Sequence, residues 1–370
     1  MKMMDQTNQS LTVIGSGGGN ITDAANVVNP SFVNTLVTQS DFSAWMGMYS
    51  CVDIILSTVG IITNVVNIKT FLAMGADDGV TVSFLFLSAS ELLCCLDALG
   101  QKLSMALWTT EMASGYRIWF YVQPYAFNIF FGNIRTCLFA MPVLITTYLA
   151  VAKCMCVVRP LSFKNVFSVS RTFRVMIGIC VFSLLTYVPM FTTMGIVEKF
   201  DANVNATRRL IWFAPFRDLV KNITWNARDS FLAIASQIIL VICVVVMAKA
   251  LSDAVVTRDK LKNGTLSEKT DLSHGKLPND AKTASRLSGK ELQVIKQVTL
   301  ISVIYIVANT PKIIVFLAVA VVPEMAPGGL YQNLYEVIIK GREHFELYIS
   351  AANVFIYYKY NTKFRQCCKC

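Results

Sequence analysis

Charge is scarce in this sequence. Only 15% of its 370 residues are Asp, Glu, Lys or Arg, against about 25% in an ordinary soluble domain. A chain with so little charge and 54% hydrophobic residues cannot cover its apolar surface by folding on itself in water. A soluble enzyme, a disordered chain and a fibrous repeat are excluded on that ground. Histidine occurs twice, at His274 and His344. There is no Ser-His-Asp set, no nucleotide-binding glycine loop and no metal triad, so neither an enzyme nor a metal or other cofactor is expected. The eleven cysteines show no paired CxxC spacing of a zinc site. No cysteine lies between Cys180 and Cys243. The first 48 residues lack a charged start followed by an apolar core, so no cleaved signal peptide is expected.

What the sequence does have is long apolar runs. Mean hydropathy is +0.53, and about 20 apolar residues suffice for a helix to cross a hydrocarbon core. Seven candidates stand out: Tyr49–Met74, Val80–Leu99, Phe127–Val158, Phe173–Val197, Phe231–Leu251, Val294–Val322 and Val337–Tyr360. The seventh is interrupted by Lys340, Arg342, Glu343 and Glu346. An odd number of spans places the two ends on opposite sides. With the N-terminus outside, twenty Lys and Arg fall on the inner side and at most eleven on the outer, the bias expected of cytoplasmic loops. The basic stretch Lys199–Arg228 runs against that bias. The net charge of +10 then belongs to membrane loops, and nucleic acid is not an expected partner.

The five tryptophans fall in outer segments or at outer helix ends, as interfacial anchors do. Glycosylation triplets begin at Asn8, Asn20, Asn205 and Asn222, all outside. The expected organisation is a disordered extracellular 1–48, a seven-transmembrane domain over 49–360 and a cytoplasmic tail over 361–370. The third inner loop, 252–293, is rich in Lys, Asp, Ser and Thr and reads as disordered.

Several local patterns converge. The first run contains Gly60-Ile-Ile-Thr-Asn64 and the second Leu87-Ser-Ala-Ser-Glu91. The third ends Lys153-Cys-Met-Cys-Val-Val-Arg-Pro160-Leu161, the sixth holds Asn309-Thr-Pro311, and the seventh ends Asn353-Val-Phe-Ile-Tyr357. In this order the chain resembles a rhodopsin-like G-protein-coupled receptor, and Cys154–Arg171 is most similar to molluscan chemosensory receptors. The resemblance implies an all-α seven-transmembrane bundle with a short amphipathic eighth helix, in the plasma membrane. It also supplies a reason to count the seventh run, since Asn353 and Tyr357 fall where the family has its inner-end motif.

The departures are specific. Glu91 stands where the family has Asp, which puts its sodium site in doubt. Ala152-Lys153-Cys154 replaces the acid–arginine–aromatic triplet, and lysine lacks the planar fork of arginine. Asn309 and Val354 replace an aromatic and a proline. The usual outer disulfide cannot form, so the outer face must be held another way.

Charges inside spans are functional candidates by default. Arg135 lies five helical turns before Lys153, and the resemblance implies that this is a ligand-contact position. It implies the same of Phe139 and Lys312. Glu343 and Glu346 are three apart and share a helix face. These five residues form the candidate ligand site. Its two cations and two carboxylates suit an amino acid or a small organic anion, because an arginine grips a carboxylate with two parallel hydrogen bonds. The alternative is an internal salt bridge of Arg135 with Glu346 or Asp97 that fixes packing.

By resemblance, Asn64, Glu91, Asn353, Tyr357 and Pro311 form a polar network that rearranges on activation. A static network is the alternative. Lys153, Pro160, Leu161 and Glu291 would serve coupling to a heterotrimeric G protein, with a Lys153–Glu291 bridge holding the resting state. Cys367, Cys368 and Cys370 follow a basic amphipathic stretch and are palmitoylation candidates. The expected function is a chemosensory receptor for a small extracellular ligand. A neuropeptide receptor of the same fold and a small transporter or channel are the alternatives. Leu347 replaces the lysine a retinal-binding receptor would need.

Overall fold

In the computed structural model, residues 37–158, 168–264, 289–325 and 329–368 are described, and all lie in one compact unit, Leu36–Cys370. Among the described residues seven long helices follow one another: α1 (Gln39–Met74), α2 (Gly79–Ala113), α3 (Pro124–Val158), α4 (Val169–Leu185), α5 (Ala233–Gly264), α6 (Gly289–Val321) and α7 (Gln332–Tyr360). A short α8 (Thr362–Cys367) completes the chain's described end. Six of the long helices are apolar enough to cross a membrane, α7 being the exception. This is the architecture of an all-α multi-pass membrane protein. Many large apolar side chains point outward, among them Ile55, Leu72, Leu185 and Val245. In water such a surface would drive association; against lipid it is solvated.

Local chemistry sets the ends. The Thr38 hydroxyl accepts from the Asp41 amide and opens α1. Asp78 accepts from the amides of Val80 and Thr81 and opens α2. Gly75 closes α1 at φ 80°, a conformation that a Cβ would strain. Asn361 caps α8 by accepting from Phe364 N. α3 runs through the middle and packs against α2, α4, α5 and α6, while α1 packs between α2 and α7.

Several boundaries differ from the expectation. Residues 39–48 are the first turns of α1 rather than extracellular coil, because a capped helix continues past the apolar stretch. α2 extends past Leu99 to Ala113, since Gln101, Lys102, Ser104 and Glu111 are buried against protein and do not need water. The fourth run ends at Leu185, and its last part, with the segment after it, forms a two-stranded hairpin. β1 (Met194–Asp201) pairs antiparallel with β2 (Ala206–Phe213), Val197 facing Leu210. Alternation in this segment is short and mixed with charge, so an apolar-run reading misses it. Arg217–Thr224 and the π-helical Trp225–Leu232 lead directly into α5. The expected loop 252–293 is helical up to Gly264 and again from Gly289. Its middle, residues 265–288, lies outside the described residues, as does the N-terminal 1–36.

At the end of the bundle opposite the hairpin, Phe71, Phe84, Tyr357 and Phe364 form an aromatic cluster. Ring centroids lie 5.0 Å apart for Phe71–Phe364 and 5.1 Å for Phe71–Tyr357. Phe364 is fully buried, so α8 is fastened by one aromatic side chain.

Candidate functional site

The hairpin half of the bundle gathers the charges. Arg135, on α3, reaches α7. Its Nη2 donates to the Glu343 carbonyl at 2.9 Å, its Nη1 lies 3.9 Å from Glu343 Oε2 and its Nη2 4.0 Å from Glu346 Oε2. Lys340 Nζ sits 2.9 Å from Glu343 Oε2, and Arg342 Nη1 2.7 Å from Glu346 Oε1. The i, i+3 spacing of the two glutamates therefore turns both toward one guanidinium. Of the two expected salt-bridge partners, Glu346 is within ion-pair range. Asp97 is buried, and its carboxylate oxygens have no hydrogen-bond partner among the described residues.

A cavity of about 60 Å³ opens between α3, α5, α6 and α7. Arg135, Phe139, Asn309, Lys312, Arg342 and Glu343 line it. Four of the five expected ligand residues are thus on one wall set, while Glu346 lines the adjoining space below with Glu91, Cys94 and Tyr305. The Arg342 guanidinium lies over the Phe139 ring at 4.8 Å and Lys312 Nζ over Phe316 at 5.3 Å.

Further features lie outside the sequence expectation. Asp53 on α1 binds Lys102 Nζ at 2.8 Å and His344 Nδ1 at 2.8 Å, joining α1, α2 and α7. Asp53 is a carboxylate inside the first apolar run, so the rule that picked Arg135 also applied to it. Lys102 lay beyond the expected end of its span. Arg228, counted with the outer basic stretch, is only 5% exposed and also lines the cavity. Its Nη2 donates to the carbonyls of Cys137 at 2.7 Å and Thr136 at 3.2 Å. No sequence signal marks it, because the π-helical lead-in looks polar.

The same end carries a clamp. Arg208 on β2 is 1% exposed and sits between Glu111 of α2 and Asp201 of β1. Its Nη2 is 2.6 Å from Asp201 Oδ2, and its Nη1 pairs with Glu111 Oε1. The Arg209 amide donates to the Tyr121 carbonyl at 2.9 Å, and the Gln123 amide to the Arg209 carbonyl at 3.0 Å. The hairpin is therefore tied to the end of α2 and the start of α3 without a disulfide. On its exposed side, Tyr121 donates to Glu198 Oε1 at 2.6 Å, and with Arg209 it holds that carboxyl below the ordinary glutamate range.

Midway down, Glu91 Oε1 accepts from Asn353 Nδ2 at 2.6 Å and from Tyr305 OH at 2.8 Å. Asn64 Nδ2 donates to Ser350 Oγ at 2.9 Å. Asn64, Glu91 and Asn353 are nearly or wholly buried. Gly60 permits this approach, since a Cβ there would stand 2.6 Å from Cys95 Sγ. Pro311 lies within an unbroken α6, and Tyr357 sits in the aromatic cluster rather than at Glu91 Oε1. Glu91→Ala removes one acceptor shared by two buried donors. It will lower unfolding free energy by about 1–3 kcal/mol, with Glu91→Gln costing less. Equal melting temperatures for Glu91→Ala and the parent would remove the network's structural role.

Lys153 is buried at the opposite end. Pro160, Leu161 and the Glu291 side chain lie outside the described residues, and with them the Lys153–Glu291 bridge. Asn205 stands exposed in the hairpin turn at φ 49°, and Asn222 is exposed on Arg217–Thr224; Asn8 and Asn20 are outside the described residues. Cys367 and Cys368 are half-buried beside α8's contacts, and Cys370 is outside. Set against models of known protein families and against curated proteins, the chain matches none of them.

Proposed function

We propose that the chain is a seven-span receptor with its N-terminus outside, binding a small ligand in the α3–α5–α6–α7 cavity and activating a heterotrimeric G protein. The observation that carries this reading is the segregation of polar groups. The charged cavity lies at the hairpin end, the hydrogen-bonded Glu91–Asn353–Tyr305 cluster lies below it, and mainly apolar and aromatic packing lies beyond. An enzyme would concentrate reactive groups at one open cleft. A receptor needs a ligand site and, further along the same helices, a bistable element whose equilibrium the ligand biases. α7 serves as the seventh span because its charges face α3 rather than lipid: Glu343 and Glu346 side chains are 12% and 11% exposed.

The cavity in this state is small. A space of about 60 Å³ favours a small molecule over a peptide. Carriage across the bilayer would favour interrupted helices in matching halves, whereas α1 to α3, α6 and α7 run unbroken. The test has two arms. Epitope tags at both ends of the full chain should be accessible on opposite faces of intact cells. A calcium or cyclic-nucleotide reporter screened with amino acids, organic acids and amines should then respond to members of one class. Tags on the same face would end the proposal.

A further inference from the structure

We infer that the ligand is a short dianion, a dicarboxylate with one carboxylate on Arg135 and the other on Arg228. This inference rests on reading the cavity as the ligand site. Four cationic side chains line that cavity, Arg135, Arg228, Lys312 and Arg342, against one carboxylate, Glu343. Glu346, just below, is matched to Arg342. Among the described residues no acid pairs with Arg228. Its Nη2 meets two backbone carbonyls, its guanidinium lies 4.8 Å over the Tyr187 ring, and its Nε and Nη1 have no hydrogen-bond acceptor. Among the described residues Arg135 Nη1 likewise has no hydrogen-bond partner, the Glu343 carboxylate oxygen being 3.9 Å away.

A buried guanidinium with open donors is costly unless something completes it. Two such groups on one small cavity point to two anionic ends. They are anchored on different elements. Arg135 is drawn toward α7 by the Glu343 carbonyl, whereas Arg228 is held beside α3 and the Tyr187 ring after α4. Phe139, Val143 and Leu144 line the same cavity and give an apolar wall that suits a short methylene chain. The small size of the cavity favours a short chain over a long one.

The experiment uses the full chain in lipid nanodiscs. Thermal unfolding is titrated with succinate and glutarate, beside butyrate and valerate of matching length and the diamine putrescine. Succinate or glutarate should bind ~10–100-fold more tightly than the monocarboxylates, as expected for one added charge-assisted contact. Arg228→Gln should erase that preference and leave the weaker monocarboxylate binding in place. Arg228→Lys, which keeps the charge and guards against a folding defect, should retain part of the preference. Equal binding of mono- and dicarboxylates, a preference unchanged in Arg228→Gln, tighter binding of putrescine, or no binding by any probe overturns the inference. The receptor reading is judged separately, by the tags and the cellular reporter. A reporter that responds to a monovalent amino acid would leave it intact while sinking the dianion.

Discussion

Replacing Arg208 by alanine will destabilise the folded chain by about 3–5 kcal/mol, because a buried ion pair that loses one partner strands the other charge. Here two charges are stranded. Glu111 and Asp201 side chains are 1% and 8% exposed, so water cannot take over from the guanidinium. Glu111→Ala should cost a comparable amount, and the two single losses should not add in the double variant. Replacing all three residues by apolar side chains of similar size should restore much of the stability, since the ions' desolvation then disappears from the folded state. The exposed pair Arg209–Glu198, at 51% and 54%, is the internal control. Arg209→Ala should leave the melting temperature unchanged, as water and salt already screen that contact. Thermal unfolding in detergent, read at low and high salt, measures all of these. A melting temperature for Arg208→Ala within error of the parent would mean that the clamp does not hold the hairpin.

On the proposed receptor function, Arg135→Ala will abolish the response to the ligand at ordinary concentrations, shifting half-maximal activation by ~100-fold or more. The side chain is 7% exposed, faces the cavity, and donates to α7. The fold should survive the change, because Lys340 and Arg342 remain to neutralise Glu343 and Glu346. Arg135→Lys should give an intermediate loss, since an ammonium keeps the charge but cannot present two parallel donors. Dose–response curves normalised to surface expression decide the matter. An undiminished response in Arg135→Ala removes Arg135 as the anchor and makes its contacts with Glu343 and Glu346 a packing device.

The site was legible where lipid made polarity conspicuous. Arg135, Glu343 and Glu346 stood out because a charge inside an apolar run must find a partner, and helical spacing put the two glutamates on one face. Asp53 carries the same signal, and its partners Lys102 and His344 come from other helices. Arg208, Glu111 and Arg228 carried none. They sit in or beside segments whose composition suits a wet loop; Arg208 and Glu111 are buried where the hairpin meets α2, and Arg228 where it docks on α3 and the Tyr187 ring. Helix ends were misplaced for a related reason. Hydropathy reports where lipid ends, while a helix continues as long as its backbone bonds and caps are met, as at Thr38 and through Gln101–Ala113.

By itself, the amino-acid order determined the solvent and the class of architecture. An excess of apolar side chains in runs of about 20 residues leaves helices in lipid as the outcome that satisfies every backbone group. Only the tertiary structure decided which charges neutralise one another. Arg135 could have met Asp97 but reaches α7 instead, and Arg208 closes a clamp between residues far apart in the chain. The physical reason is range. Solvation is set residue by residue along the chain, whereas pairing across a low-dielectric interior depends on distances of a few ångströms that exist only once the helices have packed.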